Sequence, residues 1–515
     1  MPATTERSGP GQDDPRRWTV LAVLSGSLLI ISMDTTILNV AFPSIVEDLR
    51  PGAVEQLWIV DSYALALSGL LITAGALGDR WGRKRLLLVG FGIFALASLL
   101  AVFAVAPWQL IAARALLGVG GAAIMPSTLS ILRHAFSDPG ERAFAYAVWA
   151  AVFGAGMALG PVVGGLLIQA YGWHSAFLLN LPIAAAVLAF GSWLLPESRS
   201  AAVGAGWDWW GVGQSIVGMV ALAAGIKELG HNGASEPLSW ILLAVAALSL
   251  TVFVRRQLRL THPLLQVRLF ARPAFSVAAV AILLAMIGMG AVLFLVTQWL
   301  QFSLGYSPFQ AGVRLLPAPV ALILASVTTP ALMRNLPIPY VLASGMTVMA
   351  VGLGLPWILQ RSTDIGYPAF ALSLALLGLG AGVATTVASV TMMALTPPDE
   401  VGGAAAIEET SYELGAAFGV AIIGSLASAL YRSGLDVTGL DPRTVQTARD
   451  SVAEAARIAG ELGGETGTLL LRSAAHAYTE AITPAFLTAA GLALAAAVAA
   501  LLWVPRDLRP TEHTH

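Results

Sequence analysis

Fourteen apolar runs of roughly twenty residues, separated by polar or Gly/Pro breaks, make up most of this chain. They fall near 19–42, 55–77, 86–105, 109–132, 143–169, 174–195, 209–229, 238–257, 274–300, 310–333, 338–360, 367–394, 404–430 and 480–504. A run of this length crosses a hydrocarbon layer as a helix, because in lipid each backbone N–H and C=O must find its partner within the segment. The expected fold class is an all-α integral membrane protein with fourteen transmembrane helices. Charged residues agree: they are 11% of the 515 residues, against roughly 25% in a soluble domain. The polar first fifteen residues read as a disordered tail, and the apolar run after them is too long for a signal peptide. A net charge of −2 gives no argument for nucleic acid, and seven His with no Cys offer neither a zinc site nor disulfides.

Lys and Arg set the orientation. With the N-terminus inside, 18 of the 28 lie in inner segments, 8 (Lys227 among them) in outer ones, and Arg114 and Arg314 within spans. Both termini are therefore expected in the cytoplasm of a multi-pass protein of the cytoplasmic membrane. Two connections are long. The basic stretch 258–273 reads as a surface-lying linker, and 431–478 as an outer loop in which VAEAARIAGEL suggests a small helix.

Ionisable groups within spans are costly and mark pathways. Asp34, Asp61, Glu408, Glu409 and Glu413 qualify. At about 1.5 Å per residue, Asp34 lies ~12 Å, Asp61 ~9 Å and Arg114 ~8 Å from the outer ends of their spans. These three share one depth, so Asp34 is the expected partner of Arg114. On the thirteenth span, Glu409 and Glu413 share a helix face and Glu408 points about 100° away. Three neighbouring carboxylates in a low dielectric should not all ionise together, so at least one is expected to carry a proton. The same acids could meet an organic cation, and competition between proton and cation for one negative charge gives exchange.

Two glycine-rich stretches complete the set. In GAGMALGPVVGG (154–165), Gly156, Gly160 and Gly164 form a face on which another helix can approach closely, and Pro161 removes a donor. This reads either as an ordinary tight contact or as a bendable seam between two halves. In GALGDRWGRKR (75–85), Asp79 and Arg80 stand between Gly75, Gly78 and Gly82, with Arg83 following, as in a charged latch between helix ends.

These stretches resemble motifs of the major facilitator superfamily. GALGDRWGRKR is similar to its loop motif, LIAARALLGVGGAA (110–123) to its helix-four motif with Arg114 at the motif arginine, and GAGMALGPVVGG to its antiporter motif. MDTTILNVAFP (33–43) resembles the first-helix motif of the fourteen-helix drug:proton antiporters. WHSAFLLNLPIA at Trp173 and ETSYELG at Glu409 extend the likeness to the family's multidrug exporters.

The resemblance implies a tail at 1–17, a six-helix bundle at 18–200 and two inserted helices at 201–260. A second six-helix bundle follows at 261–505 and a tail at 506–515, with alternating access about a central site. It implies Asp34 with Glu409 or Glu413 as coupling acids, and Arg114 tuning Asp34. It also implies drive by the proton gradient without a cofactor. Trp58, Trp149, Phe177, Trp299 and Tyr412 are candidate stacking partners for a flat lipophilic cation, with Asn39, Asn180 and Gln298 as weaker polar candidates. Some relatives carry a further acid in helix ten, where this chain has Arg314.

The leading expectation is proton-coupled export of lipophilic cations such as quaternary ammonium compounds, by a monomer in contact with lipid. The alternative is a dedicated exporter of one antibiotic or endogenous metabolite. A membrane enzyme is disfavoured, since no nucleotide fingerprint or nucleophile–base pair is present, and so is a non-transporting sensor.

Overall fold

A computed structural model describes residues 17–136, 138–197, 208–233, 235–261, 263–360, 366–397, 401–435 and 441–506, and every regular element among them is helical. The first set comprises α1 (Arg17–Leu49), α2 (Ala53–Trp81), α3 (Arg83–Val102), α4 (Pro107–Ala135) and α5 (Pro139–Tyr171). A broken sixth span follows, α6 (His174–Leu178) and α7 (Asn180–Leu194). Next come α8 (Trp209–Asn232) and α9 (Pro237–Arg259). The last set comprises α10 (Pro273–Gln298), the broken pair α11 (Pro308–Leu315) and α12 (Pro317–Asn335), α13 (Ile338–Leu359) and α14 (Tyr367–Ala394). It ends with α15 (Val401–Phe418), α16 (Ser425–Gly434), α17 (Pro442–Asp450), α18 (Val452–Leu462) and α19 (Gly464–Trp503).

Local chemistry explains the ends and breaks. Asp138 accepts the Glu141 N–H at 2.8 Å to start α5, and Ser307 with Gln310 forms a capping box at α11. Pro182 and Pro317 have no N–H to continue the ladder, so the sixth and tenth spans step sideways near Leu179 and Leu316. A π-helical turn at Gly419–Gly424 joins α15 to α16.

Thirteen spans among the described residues are long and apolar enough to cross a membrane. The expected span 55–77 corresponds to α2, a 29-residue helix outside that count. Its polar residues Gln56, Asp61, Ser62 and Ser68 are buried against neighbouring helices. The expected outer loop 431–478 is corrected. VAEAARIAGEL is α18, as read, but α19 begins at Gly464, well before the expected 480. Nothing breaks the helix between those points, and its first turns pack on α18.

In the first set α1 packs on α5, and α2 and α3 on α4; in the last, α14 packs on α12 and α13, and α13 on α19. The sets meet where α5 touches α11 and α12, where α2 touches α15, and where α1 touches α10. At the end remote from the chain termini they are joined by side chains. Gln301 donates to the Val40 carbonyl at 3.2 Å, Phe42 meets Phe294 edge-on at 5.0 Å, and Gln56 Nε2 lies 3.4 Å from Ser451 Oγ at the start of α18.

The pair α8–α9 lies alongside this junction, with α8 touching both α2 and α16. Asp208 anchors it by accepting from Gly211 N–H at 2.9 Å, Arg256 Nε at 2.7 Å and Gln257 Nε2 at 3.0 Å. Gln257 in turn accepts from Leu264 N–H at 2.7 Å, tying in the linker. Burial alone would raise the Asp208 carboxyl, but these donors outweigh it and hold it below its ordinary 3.8. A carboxyl depressed on folding stabilises above its unfolded value and loses that contribution as pH falls through the folded one. Asp208→Ala should therefore cost about 1 kcal/mol at pH 7. The difference from wild type should shrink as pH falls below the ordinary 3.8 of this carboxyl. Thermal unfolding of both proteins across pH checks this.

Candidate functional site

Two buried acids of the first set are held in opposite ways. Asp34, midway along α1, is saturated. Arg114 Nη1 donates to its Oδ2 at 2.7 Å and Asn180 Nδ2 to its Oδ1 at 3.0 Å. Asn180 also reaches Ser98 Oγ at 3.2 Å, and the step between α6 and α7 places it there. Arg114 directs Nε to the Ile59 carbonyl at 3.4 Å and lies 4.7 Å from the centroid of the Tyr63 ring. Its helix can approach α2 so closely because of Gly118, where a Cβ would come within 2.3 Å of the Tyr63 carbonyl oxygen.

Asp61, two residues before Tyr63, has a single charged neighbour at contact distance among the described residues, Lys227 of α8 at 3.1 Å. The expectation that Lys227 belongs to an outer segment is corrected: its side chain is 0% exposed and that of Asp61 1%. The ammonium also lies 4.1 Å from the centroid of the Trp58 ring, a cation–π contact one helical turn before Asp61. Neither Asp61 oxygen nor Lys227 Nζ makes an aligned hydrogen bond, so proximity of charge alone holds this pair.

The acids of the last set project from α15, which packs against α2 and α10. Glu413 is buried; Glu408 and Glu409 are half-buried. Glu408 lies near Ser389 and Tyr412 near Thr385, both on α14. Tyr63 of α2 is within electrostatic range of both groups. It is buried, its hydroxyl makes no hydrogen bond, and it feels the charges of Asp34, Arg114, Glu409 and Glu413. Acids from both sets thus converge on one buried phenol. Next to them, α2, α8, α9, α10 and α15 enclose a cavity of about 230 Å³, lined by Met219, Phe253, Phe270, Leu283, Thr410 and Ser411 among others. Thr410 directs a buried hydroxyl without a partner.

The remaining candidates scatter. Trp149 donates to Thr128 at 3.3 Å and stacks on Phe153, while Phe177 packs edge-on against Trp173 in the core. Trp299 is buried against Phe370 and donates to Thr479 at 3.0 Å, so it serves packing within the last set. Gln298 is buried beside it and Asn39 is half-buried on α1. Arg314 lies 3.8 Å from the Tyr306 ring centroid.

The glycine face is placed differently from a seam between halves. A Cβ at Gly156, Gly160 or Gly164 would come within 1.9 Å of Ser32 Oγ, 2.2 Å of Thr36 Oγ1 or 2.1 Å of Ile37 Cγ1, all on α1 of the same set. The junction between sets uses other atoms of α5. Gly154 faces Ile323, Gly165 faces Pro308, and the Pro161 carbonyl faces Gly312. In the loop motif, Gly82 adopts φ +109° with Glu197 against it, and Glu197 accepts the Lys84 N–H at 3.3 Å and lies 3.7 Å from Arg85 Nε. Arg83 reaches the Pro126 carbonyl at 3.5 Å, and Gly75 is in ordinary contact with Pro126. The side chains of Asp79 and Arg80 lie outside the described residues.

Sequence reasoning missed Tyr63, Ser98, Glu197 and the role of Lys227. A signal for Lys227 was present: a lone cation inside the run 209–229 needs an anion at its own depth.

The family model for the Major Facilitator Superfamily matches residues 24–359 and 278–435. The chain is 41% identical over 483 residues to the multidrug efflux pump LfrA of Mycolicibacterium smegmatis, covering 94% of this chain and 95% of that one. It is 33% identical to the methyl viologen resistance protein SmvA of Salmonella typhimurium, covering 94% and 97%. A bacterial homologue of the human lysosomal transporter Spinster, solved inward-facing and unoccupied, superposes with a TM-score of 0.64 at 14% identity, covering 95% and 98%.

Proposed function

Because the chain belongs to the major facilitator superfamily, we propose that this multi-pass membrane transporter is a proton-coupled antiporter that exports lipophilic, mainly cationic drugs. The observation carrying this reading is the convergence of buried acids from both sets on Tyr63. A carboxylate in a dry site must be neutralised by a proton or a cation, and one group cannot take both. Loading an organic cation therefore expels protons, and reloading protons expels the cation. That is the chemistry of antiport, with rocking of the two sets supplying access to each side in turn.

In this reading both termini are cytoplasmic, as the excess of Lys and Arg on that side favours. The contacts through Gln301, Phe42 and Gln56 then close the outer end, and the cavity beside α15 belongs to the inner half. Its aromatic and aliphatic lining suits the apolar part of a lipophilic drug. A flat organic dication, as in the compound for which SmvA is named, would suit paired acids. The proton gradient drives the cycle without a cofactor, and one chain contains the whole path.

Ethidium uptake into proteoliposomes under an imposed pH gradient tests the proposal. Wild type should move the dye, and Asp34→Asn and Glu413→Gln should each slow it at least about tenfold, the effect of ~1.4 kcal/mol on a barrier. Flux of equal rate with and without the gradient would overturn proton coupling. Transport of a neutral drug that survives Glu409→Gln and Glu413→Gln would instead favour a dedicated exporter.

A further inference from the structure

The two buried cations of the first site differ in what they leave free. Arg114 belongs to a closed network in which both Asp34 oxygens are hydrogen-bonded. Lys227 belongs to none. Its ammonium meets one carboxylate oxygen at 3.1 Å and one indole face at 4.1 Å, without an aligned hydrogen bond. An acid with an aromatic face one turn away is the chemistry that recognises an organic cation. Here that seat is filled by a cation from the chain itself. It arrives on α8, which packs on α2 yet stands outside both six-span sets. Four methylenes carry the charge, and a lysine stem can swing where a guanidinium network cannot.

We propose that Lys227 is a tethered competitor for the Asp61–Trp58 cation seat, displaced each time an organic monocation loads there. The inference rests on the reading that this transporter handles cations. It gives the inserted helix a role in the cycle, which is to keep Asp61 neutralised while the seat is empty. When a substrate cation takes Asp61, the ammonium leaves the carboxylate and α8 loses its charged attachment to α2. Arg114, the other charge that Asp61 feels, stays fixed to Asp34 throughout.

A ligand's apparent affinity falls by the fraction of protein whose seat is open, so removing the competitor tightens binding. The test is equilibrium binding of tetraphenylphosphonium to full-length protein in nanodiscs. Lys227→Gln should bind it about tenfold more tightly than wild type if the seat is open about a tenth of the time. Lys227→Arg keeps the charge and can fork both Asp61 oxygens, so it should bind at least about threefold more weakly. Asp61→Asn should lose most binding, and adding Lys227→Gln to it should restore none. The Arg variant retains the ion pair and reads the same proposal in the opposite direction, so the test survives poor folding of Lys227→Gln. Equal affinity in wild type, Lys227→Gln and Lys227→Arg would overturn the competitor and leave cation export standing. Absence of binding in every variant, Lys227→Gln included, would overturn both.

Discussion

Arg114→Leu is expected to abolish gradient-driven transport and to destabilise the protein by ~3–5 kcal/mol, the cost of stripping one partner from a buried ion pair. The reason is the isolation of the site. Asp34 and Arg114 have side-chain exposures of 0% and 2%, and Asn180 offers Asp34 a single N–H. Without the guanidinium, the carboxylate must take up a proton or draw water between α1 and α4. Adding Asp34→Asn should recover much of the lost stability, because the remaining amide can still pair with Asn180, but should recover no transport. Thermal midpoints in detergent and ethidium flux in proteoliposomes separate the two effects. A single Leu variant with wild-type midpoint and flux would show that the pair serves neither purpose.

Gly312→Ala is expected to stop turnover while leaving each set of helices folded. A Cβ at Gly312 would lie 2.0 Å from the Pro161 carbonyl oxygen and 2.6 Å from its carbon. Backbone atoms cannot swing aside as a flexible side chain can, so α11 and α5 must separate. Overpacking of this kind costs about 1–3 kcal/mol, felt only in the state in which these helices touch. That is enough to shift a two-state equilibrium by roughly 5- to 150-fold. Gly213→Ala is the control, since its added methyl meets nothing within 4 Å. The chain has no cysteine, so spin labels on single introduced pairs can report the distance between the sets. At the end closed by Phe42 and Phe294, that distance should lengthen in Gly312→Ala and stay unchanged in Gly213→Ala. An unchanged distance together with wild-type flux would show that the contact yields freely.

The acids were legible in sequence because charge in an apolar run stands out, and depth along a helix follows from residue count alone. That was enough to name Asp34, Asp61, Glu408, Glu409 and Glu413, and to pair Arg114 with Asp34 by height. The glycine face was equally legible, since a four-residue period marks one side of a helix whatever it touches. Its partner was not. Gly156 and Gly160 meet α1 at Ser32 and Thr36, on either side of Asp34, and the seam between sets passes through the Pro161 carbonyl, an atom every residue possesses. Among the aromatic candidates, Trp58 meets a buried charge while Trp149, Phe177 and Trp299 pack against other side chains. A tryptophan in an apolar run looks the same in either role.

Residue order was sufficient to establish that this chain is a helical membrane protein, where most of its spans lie, and which acids carry charge into them. Those properties are one-dimensional: spans follow from the need of each helix to close its own hydrogen bonds, and charges follow from the residues themselves. The partners came from packing in three dimensions. Packing set Lys227 beneath Trp58 against Asp61 across more than 160 positions of chain, closed both oxygens of Asp34 with Arg114 and Asn180, and put Tyr63 within electrostatic range of acids of both sets. The physical reason is that lipid satisfies no charge, so each buried ion must find its counterpart sideways, on whichever helix packing brings to the same depth.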